Sequence, residues 1–230
     1  MSLQSLRDEV YEANLELVRA GLVIDTFGNA SGMCRKCGLV AIKPSGVPYD
    51  KLTPADLVVS DIEGKIVEGE LRPSSDLPTH LALYKAFPGI GGVAHTHSTY
   101  ATSWAQACRE IPCLGTTHAD YWHGAIPVTE PLTPEEIAAN YEWNTGLAIA
   151  KRFREIDPLE IPSVLVAGHA PFCWGTTPAK AAHTAMILEQ AARMAYYTVT
   201  LNAGISTLDS VMHDKHFLRK HGPQAYYGQR

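Results

Sequence analysis

The chain has 230 residues, 46% of them hydrophobic and 19% charged, with a formal net charge of -5. That length allows one large domain or two small ones with a core that needs no disulfides, and the composition excludes intrinsic disorder. The acidic balance excludes a general attraction to nucleic acid or to an anionic membrane surface, and no apolar run reaches the length of a transmembrane helix.

In chain order, Leu6, Val10, Ala13, Leu17 and Ala20 form a helical stripe from Ser5 to Leu22, closed by Gly21. No basic segment followed by an apolar core opens the chain, so no secretory signal is expected and the location is expected to be cytoplasmic. Gly28-Asn29-Ala30-Ser31-Gly32 reads as a small polar turn. Leu39 to Ile42, Leu57 to Ser60 and Lys65 to Val67 are predicted strands, the last two joined by a tight turn at Glu63-Gly64. Pro78 opens a predicted helix to Phe87, at a position where its missing N–H costs nothing. Val93 to Thr96 is a short buried strand, and Thr99 to Ala107 a helix. Residues 111–131 read as loop with short strand. Thr133 caps a helix from Pro134 to about Phe153, with Glu135 and Glu136 in its first turn. Ser163 to Ala167 is a buried strand. Pro178 opens a long helix to about Asn202, and a last helix spans roughly 207–220. Helices and strands mix without regular βαβ alternation, which favours one α/β domain with a mixed or antiparallel sheet.

Five cysteines in a chain without a secretory signal point to reduced thiols. Cys34-Arg35-Lys36-Cys37 has the C-x-x-C spacing, but a structural zinc site needs a second pair. The following Gly38 and Leu39 to Ile42 read as a turn entering a strand, so the pair is expected at an inert hairpin tip.

His95-Thr96-His97 carries the strongest chemical signal. Side chains at i and i+2 of a strand share a face, so both imidazoles can approach one ion, and neutral imidazole is the commonest ligand for zinc and its neighbours. His169 ends a second apolar strand, and Asp76 lies upstream in Pro73-Ser74-Ser75-Asp76. Three histidines and a carboxylate suit a mononuclear divalent site. Hydrogen-bonded loop-end histidines are the bland alternative. The turns at Gly28-Asn29, Lys43-Pro44-Ser45-Gly46 and Ser74-Ser75 offer small donors and close backbone approach, which together can cradle an anion such as phosphate; singly, each is an ordinary turn. Lys43 is read as a phosphate neighbour or a buried ion-pair partner. Asp120, in Thr116-Thr117-His118-Ala119-Asp120-Tyr121, is equally a general acid/base or a turn carboxylate. The tail from Asp214 to Gln229 mixes charged, His and Tyr residues, and composition alone gives it no catalytic standing.

These motifs, with Tyr141-Glu142-Trp143 and Ala225-Tyr226-Tyr227-Gly228-Gln229, resemble the class II aldolase/epimerase family over the chain from the first helix onward. The Thr-Thr-His-Ala-Asp-Tyr loop and the tail resemble its epimerase branch. The chain departs from the family at Phe27, usually Trp, at Thr99-Tyr100-Ala101-Thr102, and at Gly168 and Ala170 around His169. The resemblance implies a three-layer α/β/α fold around a mostly antiparallel mixed sheet, one domain over 1–230. It implies a homotetramer with four-fold symmetry and active sites between subunits. His95, His97 and His169 would bind zinc or another divalent cation, with Asp76 at the fourth ligand position. Gly28, Asn29, Ser45, Gly46, Ser74 and Ser75 would hold the substrate phosphate. Asp120 and Tyr227 would be the acid/base pair, reaching the site from a neighbouring subunit. The implied reaction interconverts phosphorylated ketopentoses, L-ribulose 5-phosphate and D-xylulose 5-phosphate, by cleaving and re-forming the C3–C4 bond. Alternatives are a sugar-phosphate aldolase that releases its fragments, a metal-dependent hydrolase, and a non-catalytic metal-binding protein.

Overall fold

A computed structural model describes residues 2–229. Its elements are α1 (Leu3–Arg19), β1 (Asn29–Cys34), β2 (Leu39–Ile42), β3 (Val58–Asp61), β4 (Ile66–Glu68), α2 (Leu77–Ala86), β5 (Gly92–His95), α3 (Thr99–Gln106), α4 (Thr116–Ala119), α5 (Pro134–Arg152), β6 (Ser163–Leu165), β7 (Pro171–Gly175), α6 (Pro178–Leu201) and α7 (Ser210–His221). The strands form one sheet in the order β4-β3-β2-β1-β5-β7-β6. Every ladder is antiparallel. The expected mixed character is confined, among the described residues, to an isolated parallel bridge between Val128 and Leu165.

Alternation along the central strand β1 separates two helical layers. Ser31 faces α2, where its Oγ lies 2.7 Å from His80 Nδ1 and 2.8 Å from the Tyr84 hydroxyl. Gly32 faces the other way, and a Cβ there would meet Leu6 and Val10 of α1 and Pro178 of α6. Asn14 ties α1 to β1 by accepting from the Ala30 N–H at 2.8 Å and donating to the Ala30 carbonyl at 3.0 Å. On the α2 side, Gly146 of α5 sits against Thr79 and Ala82. The core between these layers buries Trp122, Trp174, Tyr84 and Phe172.

Strand register sets Gly32 opposite Gly92, and Gly92 opposite Gly175. This row lets the first turn of α6 rest directly on the sheet. A Cβ at Gly92 would lie 2.5 Å from backbone atoms of Pro178, and one at Gly175 2.6 Å from Lys180 Cβ. Gly92→Ala is therefore expected to destabilise the protein by about 3 kcal/mol, the upper range for forced overpacking, read as a lowered denaturant midpoint with unchanged slope.

Several elements differ from the sequence expectation. β1 was expected as a turn, and β7 was not expected at all. β6 stops at Leu165, so His169 lies in the β6–β7 turn, after Gly168 at φ +72°. The 111–131 loop contains the short helix α4. α5 is broken at Asn140 (φ -159°, ψ 84°). The C-x-x-C pair does sit at the β1–β2 hairpin tip, but Cys34 and Cys37 are joined as a disulfide, correcting the expectation of reduced thiols there. Their Cα atoms are 5.3 Å apart, because the Cys37 N–H donates to the Cys34 carbonyl in a tight turn, which brings residues i and i+3 within bridging range. Cys108, Cys113 and Cys173 are free. Among the described residues, no helix is long and apolar enough to cross a membrane.

Candidate functional site

β5 delivers the first histidine. Its register places His95 between Asn29 of β1 and Phe172 of β7, and the imidazole stacks on the Phe172 ring at 4.1 Å. His95 Nδ1 lies 2.9 Å from the Pro171 carbonyl. A carbonyl only accepts, so Nδ1 carries the proton and Nε2 presents its lone pair. That Nε2 faces His97 Nε2 at 3.1 Å. His97 lies just beyond the strand end rather than within it, yet the rings still converge. The His169 ring lies 5.0 Å from His95 and 4.9 Å from His97.

One ligand nitrogen from each of the three histidines lies within 4.8 Å of the others. Burial and the neighbouring imidazoles push His169 down to about 4 and hold His97 below its ordinary value. Both are neutral at physiological pH, which is the form that binds a cation. Converging neutral nitrogens with one tautomer fixed by a carbonyl fit a divalent transition metal.

Asp76 stands in the same cavity but is not one of the three clustered groups. It occupies the N-cap of α2 without making a capping hydrogen bond. Its Oδ2 instead accepts from Asn29 Nδ2 at 2.7 Å. Burial works against its ionisation, but His95, His80 and the Asn29 bond outweigh that and hold the carboxyl below its usual range. Wholly buried His80 is pushed down to about 3 by desolvation, against the opposing pull of Asp76.

The turns expected to cradle an anion come together because two of them are stitched to each other. Pro44 and Pro73 make an isolated antiparallel bridge. The Ser45 N–H donates to the Arg72 carbonyl at 2.9 Å, and the Ser74 N–H to the Lys43 carbonyl at 2.9 Å. Gly28 completes the wall: its φ is +95°, and a Cβ there would come 3.0 Å from the His95 carbonyl oxygen. The resulting cavity of about 330 Å³ is lined by all seven residues of the expected cradle, including Lys43, together with Asp76 and the three histidines.

Lys43 is buried, and its Nζ lies 4.6 Å from the centre of the Tyr49 ring and 3.3 Å from the Pro44 carbonyl. No carboxylate pairs with it among the described residues, which removes the ion-pair alternative. Desolvation lowers its pKa. A buried ammonium with only a ring and a carbonyl for company has no counter-charge. Asn29 Oδ1, also buried, has no hydrogen-bond partner.

The cavity also contains Thr26, Phe27, Tyr141 and Glu142, which were not expected as site residues. Phe27 stacks on His97 at 5.7 Å, and Tyr141 meets His169 edge-on at 6.1 Å. The break at Asn140 comes immediately before Tyr141 and Glu142. Only the family motif Tyr141-Glu142-Trp143 could have singled them out.

Asp120 and Tyr227 do not line this cavity. They share a separate cluster. Asp120, the C-cap of α4, accepts from Arg219 at 2.8 Å and 3.1 Å and lies 3.0 Å from His216 Nδ1. Burial opposes its ionisation, but Arg219, His216 and Lys220 outweigh that and hold the carboxyl low. Arg219 and Lys220 both lie over the Tyr227 ring, at 4.9 Å and 4.4 Å. Tyr227 itself is 60% exposed.

The antiparallel sheet between helical layers, with histidines gathered at one end beside a serine-lined cradle, defines the class. The chain belongs to the family described as the class II aldolase and adducin N-terminal domain, whose profile matches residues 8–196. It is 51% identical over 228 residues to the L-ribulose-5-phosphate 4-epimerase UlaF of Salmonella paratyphi A, covering 99% of this chain and 100% of that one. The same protein of Salmonella typhi matches equally, at 51% over 228 residues. Among solved structures, an L-fuculose 1-phosphate aldolase superposes with a TM-score of 0.75 at 28% identity, covering 92% of this chain and 95% of its own. YgbL of Klebsiella pneumoniae, at 24% identity and a TM-score of 0.74 over 94% of this chain and 99% of its own, shares the fold.

Proposed function

We propose that the protein is a metal-dependent 4-epimerase that interconverts L-ribulose 5-phosphate and D-xylulose 5-phosphate by breaking and re-forming the C3–C4 bond. The observation that carries this reading is a single cavity holding a three-histidine cluster, a buried unpaired Lys43 and serine-rich turns. Such a cavity suits a sugar phosphate presented to a Lewis acid. The full-length relatives named as L-ribulose-5-phosphate 4-epimerase favour this ketopentose over other substrates.

The carbinol proton at C4 is not acidic, so simple deprotonation cannot invert that centre. Retro-aldol cleavage avoids the problem. A divalent cation such as zinc, held by His95, His97 and His169, would supply polarisation of the ketose carbonyl and stabilise the charge left by C3–C4 cleavage. Lys43, Ser45, Ser74 and Ser75 hold the phosphate, with backbone N–H groups at Gly28 and Gly46. One acid/base group takes the C4 hydroxyl proton, and glycolaldehyde phosphate forms. The fragment rotates about its tethered phosphate and presents its other carbonyl face. After re-addition, a second group protonates the new C4 alkoxide from the opposite side. Asp120 and Tyr227 are assigned these roles, entering the cavity of a neighbouring subunit in a four-fold homotetramer. Asp76, held by Asn29 beside the histidines, is the fourth group at the cation site. Since the substrate is a charged sugar phosphate, the enzyme is placed in the cytoplasm.

The test is incubation with L-ribulose 5-phosphate. Formation of D-xylulose 5-phosphate supports the epimerase reading. Accumulation of free glycolaldehyde phosphate and dihydroxyacetone would identify an aldolase instead. No turnover with metal bound would identify a binding protein.

Ser75→Ala is expected to raise KM for the sugar phosphate about tenfold, the scale of one hydrogen bond to a charged group, while changing kcat less. A steep fall in kcat at unchanged KM would place Ser75 on the transition state.

A further inference from the structure

The helix α7 and the chain beyond it are fastened to the rest of the molecule largely through imidazoles. His213 Nε2 donates to the Trp122 carbonyl at 2.8 Å, and His221 Nε2 to the Asp120 carbonyl at 2.9 Å. His216 and Arg219 reach the Asp120 carboxylate. His123 differs from these, because it comes from the opposite side of the contact. It lies between α4 and the bridge residue Ile126, and its ring stacks face to face on Phe217 of α7, 4.6 Å apart and 10° from parallel.

Both ring nitrogens of His123 meet carboxylates. Nε2 lies 2.8 Å from Asp214 Oδ1 on α7, and Nδ1 lies 3.3 Å from Glu160 Oε2 in the turn before β6. The His123 backbone N–H also donates to the Glu160 carbonyl at 3.2 Å. An ionised carboxylate only accepts, and a neutral imidazole has one N–H. Both bonds therefore exist only when the ring is an imidazolium. The titratable groups facing it are Glu160 from the turn, and Asp214 and His213 from α7, the last edge-on at 5.4 Å. The Asp214 hydrogen bond, helped by Glu160 and opposed by burial, raises the His123 pKa above its ordinary value.

We propose that His123, as its imidazolium, is a positioning residue that clamps α7 between Asp214 and Glu160 and so sets where the Asp120–Arg219–Tyr227 arm is presented. The consequence for turnover rests on the acid/base reading of Tyr227; the clamp itself does not. Because the folded-state pKa is raised, the clamp is fully formed below the ordinary histidine value and is lost as pH rises through the folded value. Tyr227 follows α7 directly: its N–H and that of Tyr226 donate to the Arg219 carbonyl at 3.1 Å and 2.9 Å. Loosening α7 therefore displaces the tyrosine with it.

The experiment compares the full-length wild-type protein with H123F and H123Q from about pH 6 to about pH 9, spanning the titration of a raised histidine. H123F keeps an aromatic ring over Phe217 but cannot donate. H123Q keeps one donor that does not titrate. Two quantities are read: hydrogen-exchange protection of amides 210–221, corrected for the intrinsic rate, and kcat with L-ribulose 5-phosphate.

In the wild type, protection is expected to fall about threefold to tenfold as pH rises, the scale of a partly exposed charged network. H123F should show the low value throughout, with kcat lowered in parallel and both KM and bound metal unchanged. H123Q should restore intermediate protection and flatten the pH dependence. Wild-type protection and wild-type pH dependence in H123F, or in H123Q if H123F does not fold, overturn the clamp. Altered protection with an unaltered kcat overturns the positioning role. Altered protection in a wild-type protein that never turns over the sugar phosphate leaves the clamp standing and refutes the proposed reaction instead.

Discussion

His97→Asn is expected to lose most of its bound divalent cation and most of its activity while remaining folded. His97 is the cleanest of the three histidines to remove. It lies beyond the end of β5 and is half-buried, whereas His95 is inside the strand and holds the Pro171 carbonyl. Asparagine fills similar space but offers a weak amide oxygen in place of an imidazole nitrogen. Losing an outer-shell partner alone costs about 10–100-fold in metal affinity, so losing a ligand should cost roughly 10² or more. His95, His169 and Asp76 already have their places at the proposed cation site, so no group is left to replace the lost nitrogen. Metal analysis of purified His97→Asn and His95→Asn decides the matter. A full complement of metal in both variants would remove the three-histidine site, and with it the role assigned to His169.

The histidine site was legible because its signal is local. His95 and His97 are two positions apart at a strand end, so their rings stay close although β5 stops at His95, and His169 follows an apolar run in the neighbouring hairpin. Elements whose residues alternate or form apolar runs were equally legible: Leu39 to Ile42 is recovered to the residue as β2. β1 was not, for a packing reason. Asn29-Ala30-Ser31-Gly32 carries no bulk because α1 and the first turn of α6 press directly on this central strand, and a strand emptied of large side chains reads as a turn. β7 hid for a similar reason, with a proline at its start and Gly175 under Lys180 at its end.

The cavity wall and the cluster of Asp120, Arg219 and Tyr227 depend on distant pairings that no window of sequence contains. Pro44 meets Pro73 through a bridge across 29 positions, which joins two ordinary turns, and the third is brought in by the close approach of Gly28 to the His95 carbonyl. Asp120 and Tyr227 meet through Arg219, which bonds the carboxylate and lies over the ring. Residue type alone left Asp120 undecided between catalysis and a turn. In the structure its carboxyl accepts from Arg219 and lies against His216, which tethers α7, so within one chain it organises the tail that carries Tyr227.

Tyr227→Phe is expected to leave the fold and bound metal intact and to lower epimerisation by roughly 10²–10⁴, the scale of one acid/base group. The residue is exposed and makes only backbone and ring contacts in its own chain. Removing its hydroxyl therefore breaks nothing that the fold uses. Arg219 and Lys220 lie over the ring and hold it in place, and the alkoxide that its hydroxyl would protonate is a strong base. The same chain does not bring Tyr227 to its own histidine cavity, so the proposed role requires the tyrosine of a neighbouring subunit. Complementation tests that directly. In tetramers reassembled from equal amounts of Tyr227→Phe and His97→Asn, about a quarter of sites would pair an intact histidine cluster with an intact tyrosine from the neighbour, given closed four-fold symmetry and random mixing. Activity should then recover to about that fraction of the wild type. Mixtures that show only the residual activity of each parent would mean that Tyr227 serves its own subunit, or that the proton comes from elsewhere.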